Sequence, residues 1–245
     1  MRSDGNAATA NRKLSRQKLP DILAAQILND IRAGVYRDGD VFPSERELMD
    51  TFGVGRSTVR EALATLSRLG FIAVRSGTRD RVQHPTADDL LAPVSDIALF
   101  LVANPVGAAH FHELRTLMEV GMARRAAELA DDVFIEELAQ ALAHNRDALA
   151  DPKLFVETDY AFHAKISAVT DNPLFPAFIK AMSTWLWKER NVTVAEEGQN
   201  EISLAFHTRI FEAIAQRDVE RAGEEMRLHL AQVQEVFRRR AAETP

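Results

Sequence analysis

Residues 43 to 70, PSERELMDTFGVGRSTVREALATLSRLG, leave the backbone few choices. Ser44, with Glu47 three residues on, is the reciprocal pattern that satisfies free backbone N–H groups where a helix begins. That helix is short and ends by Gly53. From Gly55 a second one carries Val59, Ala62, Leu63, Leu66 and Leu69 inward and closes at Gly70, while Ser57, Arg60, Ala64 and Arg68 point away. Upstream, LPDILAAQILNDIRAG places Ile22, Leu23, Ile27, Leu28 and Ile31 on one helical face and stops at Gly34. Downstream, FIAVRSGTRDRVQHP alternates around Ser76-Gly77 as a two-stranded hairpin does. Two helices joined by a tight glycine-bearing turn, with a helix before and a hairpin after, predict a winged helix-turn-helix.

An α-helix fits the major groove of DNA, where its first residues meet base edges and its free N–H groups favour phosphate. Arg56, Ser57, Thr58 and Arg60 occupy that end of the second helix. Small Ser and Thr allow close approach, and Arg pairs bidentately with guanine, worth about 1–3 kcal/mol in discrimination. The plain alternative is a capped surface helix that happens to be basic. Arg79 and Arg81 near the hairpin tip suit a minor groove or phosphates, or serve solubility. Charge agrees with a polyanion at this end of the chain: residues 1–83 hold 14 Lys+Arg against 10 Asp+Glu, and residues 84–245 hold 16 against 26. An N-terminal +4 inside a chain of net charge −6 is the footprint of one segment that meets nucleic acid.

With no Cys the chain has no disulfide, no Cys-ligated zinc and no thiol nucleophile. Its longest apolar run, IALFLVA at 97–103, is too short to cross a bilayer, and the polar start lacks the apolar core of a signal peptide. The expectation is a cytoplasmic protein without a membrane partner. Residues 1–14 lack hydrophobic periodicity and read as a disordered arm, 15–83 as the DNA-binding domain, 84–90 as a linker and 91–240 as an all-helical metal- and effector-binding domain. Helical stretches at about 88–103, 107–130, 132–149, 152–169, 173–190, 197–217 and 218–239 make that a seven-helix bundle.

In the bundle, TDYAFHAKI sets Asp159 and His163 four apart on one helical face, and His207 and His229 stand on two further helices. A carboxylate and three imidazoles can hold Zn²⁺ or a similar divalent ion, with room for a water or a ligand oxygen. By spacing alone the Asp-His pair reads equally as a surface pair, and His84, His110, His112 and His144 show no such arrangement. Arg115 lies on a helix whose apolar stripe is Phe111, Leu114, Met118 and Met122, and reads from the residues as a salt bridge with Glu119. Asn172 is a helix-start residue first and a pocket residue second. Trp185 and Trp187 read as core or rim, although a sugar-like ligand could use one.

PSERELM, VGRSTVREALATLSRLG and the following hairpin closely resemble the winged helix-turn-helix of the GntR superfamily of transcription regulators. The helical remainder resembles the FCD ligand domain of its FadR-like branch, from about Leu19 to Phe237 in all. The fold class implied is mainly α, an N-terminal winged helix-turn-helix followed by a C-terminal all-α FCD-type helical bundle. The resemblance implies operator DNA as partner, with Arg46, Arg56, Ser57, Thr58, Arg60 and the wing residue Gly77 on DNA-contacting positions, to which the hairpin reading adds Arg79; one winged module offers too little surface for ordinary operator affinity, so a homodimer is expected. The wing SGTRDRV departs from the commoner Gly-Gly-Thr-aromatic form. In the bundle the resemblance implies a metal at Asp159, His163, His207 and His229, Zn²⁺ first and Ni²⁺ or Mn²⁺ as alternatives. It also implies that Arg115 lies in an effector cavity, to which the reading of the residues adds Asn172 and Trp185. Because PTADDL and AAHFHELR are most similar to sialic-acid-responsive repressors of this branch, the effector implied is a small carboxylate, sialic acid or another sugar acid. Two other readings stand beside this one. One is a metal-dependent hydrolase or lyase, which leaves the helix-turn-helix unexplained and lacks an H-E-x-x-H motif. The other is an architectural DNA-binding protein with a structural metal.

Overall fold

The computed structural model describes residues 18–73, 79–187, 193 and 196–243, with side chains to residue 240. The chain divides into two compact units, one ending at Thr86 and the other starting at Ala87. It is mainly α-helical throughout.

The first unit begins with α1 (Leu19–Arg32), α2 (Glu45–Phe52) and α3 (Arg56–Arg68). Two short strands, β1 (Ile72–Ala73) and β2 (Arg81–Val82), pair antiparallel with Ile72 opposite Val82, and Val41 adds a further bridge to Arg81. Ser44 caps α2 as expected: its hydroxyl accepts from Glu47 N–H, and Glu47 Oε2 accepts from Ser44 N–H at 2.7 Å. Gly53 ends α2 at φ 63°, a left-handed conformation that a residue without Cβ adopts at little cost. Leu23, Ile27, Phe42, Leu48, Val59 and Leu66 lie at the centre of one core closed by Ile72 and Val82. Two residues read as inward face solvent instead. Ile22 is exposed while Ala24 takes the inward position on α1, and Leu69, still bonded by its N–H to the Thr65 carbonyl, is exposed while Gly70 takes the buried position. The hairpin turn around Ser76-Gly77 lies outside the described residues.

The second unit runs α4 (Ala87–Leu91), α5 (Ser95–Val102), α6 (Pro105–Leu129), α7 (Asp132–Asp147), α8 (Pro152–Ser167), α9 (Leu174–Trp185), α10 (Gln199–Ala215) and α11 (Val219–Glu243). The single helix expected over 88–103 is two. Pro93 has no N–H to continue the ladder, and a one-turn 3-10 segment, Ala92–Val94, breaks the run there. Asn104, Asp131 and Asp151 cap α6, α7 and α8 through their side-chain oxygens, with Pro105 and Pro152 in first-turn positions that need no donor. Gly107 lets α5 and α6 close on each other, since a Cβ there would stand 1.9 Å from the Leu101 carbonyl oxygen. The core gathers Met122, Leu138, Phe162, Ile166, Ile210 and Ile214 around the alanines of α6, Ala123, Ala126 and Ala127. Small side chains there let α11 pack along α6.

Candidate metal centre and DNA-reading face

The inner face of α6 is not the apolar stripe that its sequence suggests. Leu114 is exposed, whereas His112, Arg115 and Glu119 are buried ahead of Met122 and Ala123. Arg115 Nε donates to Glu119 Oε1 at 2.5 Å, so the expected i, i+4 pair forms, but in the interior. Glu119 Oε2 faces His163 Nδ1. Burial alone would push the Glu119 carboxyl up, and the charges and hydrogen bonds of Arg115 and His163 outweigh it, holding the group well below the usual carboxylate range.

Four side chains converge beside this pair: Asp159 and His163 from α8, His207 from α10 and His229 from α11. Each offers one ligand atom, and these atoms all lie within 4.8 Å of one another. The three imidazoles are buried to 2% exposure or less. His163 and His229 stack at 5.3 Å between ring centroids, and Phe162 stacks on His207 at 4.6 Å.

Hydrogen bonds outside the cluster decide which nitrogens point in. Thr158 Oγ1 lies 3.0 Å from the Leu154 carbonyl, to which it donates, so it accepts from Asn145 Nδ2 at 3.0 Å. Asn145 Oδ1 therefore faces His207 Nδ1 at 2.8 Å and accepts its proton. A neutral His207 is left with its Nε2 lone pair 3.3 Å from Asp159 Oδ1 and 3.3 Å from His229 Nε2. On His163, Nδ1 is turned to Glu119, and Nε2 is buried with no hydrogen-bond partner. Burial, and then the neighbouring His207 and His163, push the His229 pKa well below its ordinary value and keep the ring neutral. Three imidazole nitrogens and a carboxylate oxygen gathered this closely form a set of donor atoms that one cation can share, and outer bonds that orient metal-bound imidazoles are the usual accompaniment. The donor set thus fits a metal ion held by one carboxylate and three imidazoles. Glu119 and Asn145 were not among the residues expected here. The signal for Asn145 was a polar residue at core spacing behind Leu138 and Leu142.

Asn172 and Trp185 stand differently. Asn172 is exposed at the start of α9, where its Oδ1 accepts from Leu174 N–H at 3.0 Å. Trp185 is buried in a small cluster with Ala98, Met182 and Leu186, its indole N–H 3.3 Å from Ser95 Oγ. Trp187 is exposed.

In the first unit, Arg56, Ser57 and Arg60 are exposed along the start of α3 and Thr58 is half-buried. Gly55, at the N-cap, has no side chain to cap the first N–H groups of α3, which leaves them to an anion. Glu45 pairs with Arg56 at 3.3 Å and with Arg60 at 2.8 Å. Arg46 pairs loosely with Asp50 at 4.0 Å. Arg79 is exposed and its charge helps to lower the Glu47 pKa, whereas Arg81 Nη1 donates to the Gly39 carbonyl at 2.6 Å and so ties the hairpin to the loop before α2. Gly77 lies outside the described residues.

Comparison with known proteins matches both units. Residues 21–82 match the gntR family of bacterial regulatory proteins, and residues 110–232 match the FCD domain. The chain is 39% identical over 225 residues to the HTH-type transcriptional repressor NanR of Citrobacter rodentium, covering 91% of this chain and 86% of that one. It is 38% identical over 224 residues to the protein of the same name from Cronobacter sakazakii, with the same coverage. Among solved structures, Streptococcus agalactiae GntR shares the fold at a TM-score of 0.62 and 24% identity, over 88% of this chain and 99% of that one. E. coli McbR/YncC shares it at 0.52 and 13%, over 92% and 100%. With a family match in each unit and relatives that span both, the chain belongs to the GntR family of bacterial regulatory proteins, a DNA-binding transcription regulator with an FCD domain and not an enzyme.

Proposed function

We propose that this protein is a cytoplasmic repressor, working as a homodimer, whose hold on operator DNA is released when a small carboxylate binds beside a divalent metal in the second unit. Asp159, His163, His207 and His229 hold the ion, Zn²⁺ first and Ni²⁺ or Mn²⁺ as alternatives. The observation that carries this reading is the His207 Nε2 lone pair turned toward Asp159 Oδ1 at 3.3 Å by the Asn145 bond behind it. The ion supplies an electropositive point that takes an oxygen of the effector. Arg115, buried beside the cluster with five donors on its guanidinium, shares the effector carboxylate with it. Asn172, exposed at the start of α9, and Trp185, buried in the cluster with Ala98, Met182 and Leu186, come second to Arg115 in this assignment. Sialic acid is the first effector to test and other sugar acids are next; the relatives named as repressors support release over activation.

In the first unit Arg56, Ser57, Thr58 and Arg60 read the major groove, and Arg46, Arg79 and Gly77 hold the backbone beside it. The effector acts only if it binds the DNA-free arrangement more tightly than the DNA-bound one. Metal and carboxylate together draw on α6, α8, α10 and α11, so their binding biases the packing of four helices at once.

The test is His229→Ala, with folding confirmed by circular dichroism. Calorimetry is expected to show metal and effector binding lost together, and a gel-shift titration to show DNA binding retained without release. Normal effector affinity with a normal release curve would sink the assignment of the four residues.

A further inference from the structure

Glu45 is the first residue of α2, and its carboxylate stands between two arginines of α3 that are one turn apart. Its Oε2 is 3.3 Å from Arg56 Nε and its Oε1 is 2.8 Å from Arg60 Nε. The Glu45 side chain is 31% exposed, whereas those of Arg56 and Arg60 are 66% and 64% exposed, so the acid sits at the root of the pair and the guanidinium ends stand outward. Two like charges at i and i+4 repel, and the shared carboxylate offsets that.

The atom used in the contact matters. Both arginines meet Glu45 through Nε, and end-on pairing with guanine O6 and N7 uses the two terminal nitrogens. An arginine held by Nε therefore keeps its carboxylate partner while it reads guanine. A phosphate takes the same fork, so what the Nε contact fixes is direction: the terminal nitrogens point where Glu45 aims them and follow a phosphate elsewhere only by leaving the carboxylate. The same acid also removes one positive charge from the reading face, and non-specific affinity follows that charge.

We propose that Glu45 is a positioning residue that sets operator specificity, holding Arg56 and Arg60 aimed at guanine and lowering affinity for all other DNA. This rests on the reading of Arg56 and Arg60 as base contacts given above. It adds a role for an acidic residue in a surface otherwise described by its cations.

The experiment uses duplexes selected from a random pool by the wild-type full-length protein, with shuffled duplexes as competitors, in fluorescence anisotropy across a salt series. Glu45→Gln is expected to bind shuffled duplex more tightly, with a salt slope steeper by about one. Its preference for selected over shuffled duplex is expected to fall about tenfold or more. Glu45→Asp keeps the charge but shortens the reach, so the wild-type slope should remain while the preference falls. If Glu45→Gln melts early, Glu45→Asp carries the test alone. Arg60→Ala separates the two layers of the argument: no loss on selected duplex would overturn the base-reading assignment and Glu45 with it. A loss for Arg60→Ala with unchanged preference in both Glu45 variants would overturn the role of Glu45 only.

Discussion

Asn145 shows how much one neutral side chain settles. Its amide is oriented by Thr158, and through that orientation His207 presents Nε2 to the other three ligands. Glu119 does the corresponding work for His163. Replacing an outer residue of this kind costs about 10–100-fold in metal affinity, and Asn145→Ala is expected to fall in that range in a competition titration of Zn²⁺ against a chromophoric chelator. Unchanged Zn²⁺ affinity in a folded Asn145→Ala protein would mean that His207 is oriented by something else. Spacing put Asp159 and His163 on one helical face, but only the family resemblance grouped them with His207 and His229, and the structure brings the four together. Glu119 and Asn145 were not legible in the sequence, because neither carboxylates nor amides advertise which ring they will meet. Their partners lie 44 and 62 residues away in the chain and become neighbours only when α6, α7, α8 and α10 pack.

Helices were read where the local code is complete and misread where neighbours decide. The start of α2 is local: Ser44 and Glu47 satisfy each other, and the structure repeats what PSERELM says. Ser44→Ala is expected to destabilise the first unit by about 1 kcal/mol in denaturant unfolding at neutral pH. The same contact depends on acid. The hydrogen bonds from Ser44 lower the Glu47 pKa from its ordinary 4.5, so the carboxylate's contribution is present above that value and lost as pH falls through the lower, folded one. The wild-type advantage over Ser44→Ala should accordingly shrink when unfolding is measured near pH 3.5, and an advantage independent of pH would count against a charged cap. The break at Pro93 was also written locally, but the apolar spacing of 88–103 masked it. The polar inner face of α6 lay beyond any local rule: Leu114 is exposed while His112, Arg115 and Glu119 are buried, Glu119 against His163 of α8 and His112 near Phe237 of α11.

At the scale of the molecule, a reading unit and a ligand unit follow each other along the chain, and the charge difference between the two halves marks the division. A single winged module covers too little DNA for ordinary operator affinity, and two-fold dimers read paired half-sites. Light scattering at micromolar concentration is expected to give twice the chain mass of 27.3 kDa. A monomer that still bound its selected duplex tightly would refute the dimer. The division at Thr86 also has a consequence in time. His229 is the last of the four ligands to be synthesised, 143 residues after Thr86. At translation speeds of about 5–20 residues per second, that is roughly seven to thirty seconds. During that interval each nascent chain already carries its whole reading helix and cannot yet complete the site that would answer an inducer. On the proposed reading, effector response is thus the last property a growing chain acquires, completed only once α11 has been made.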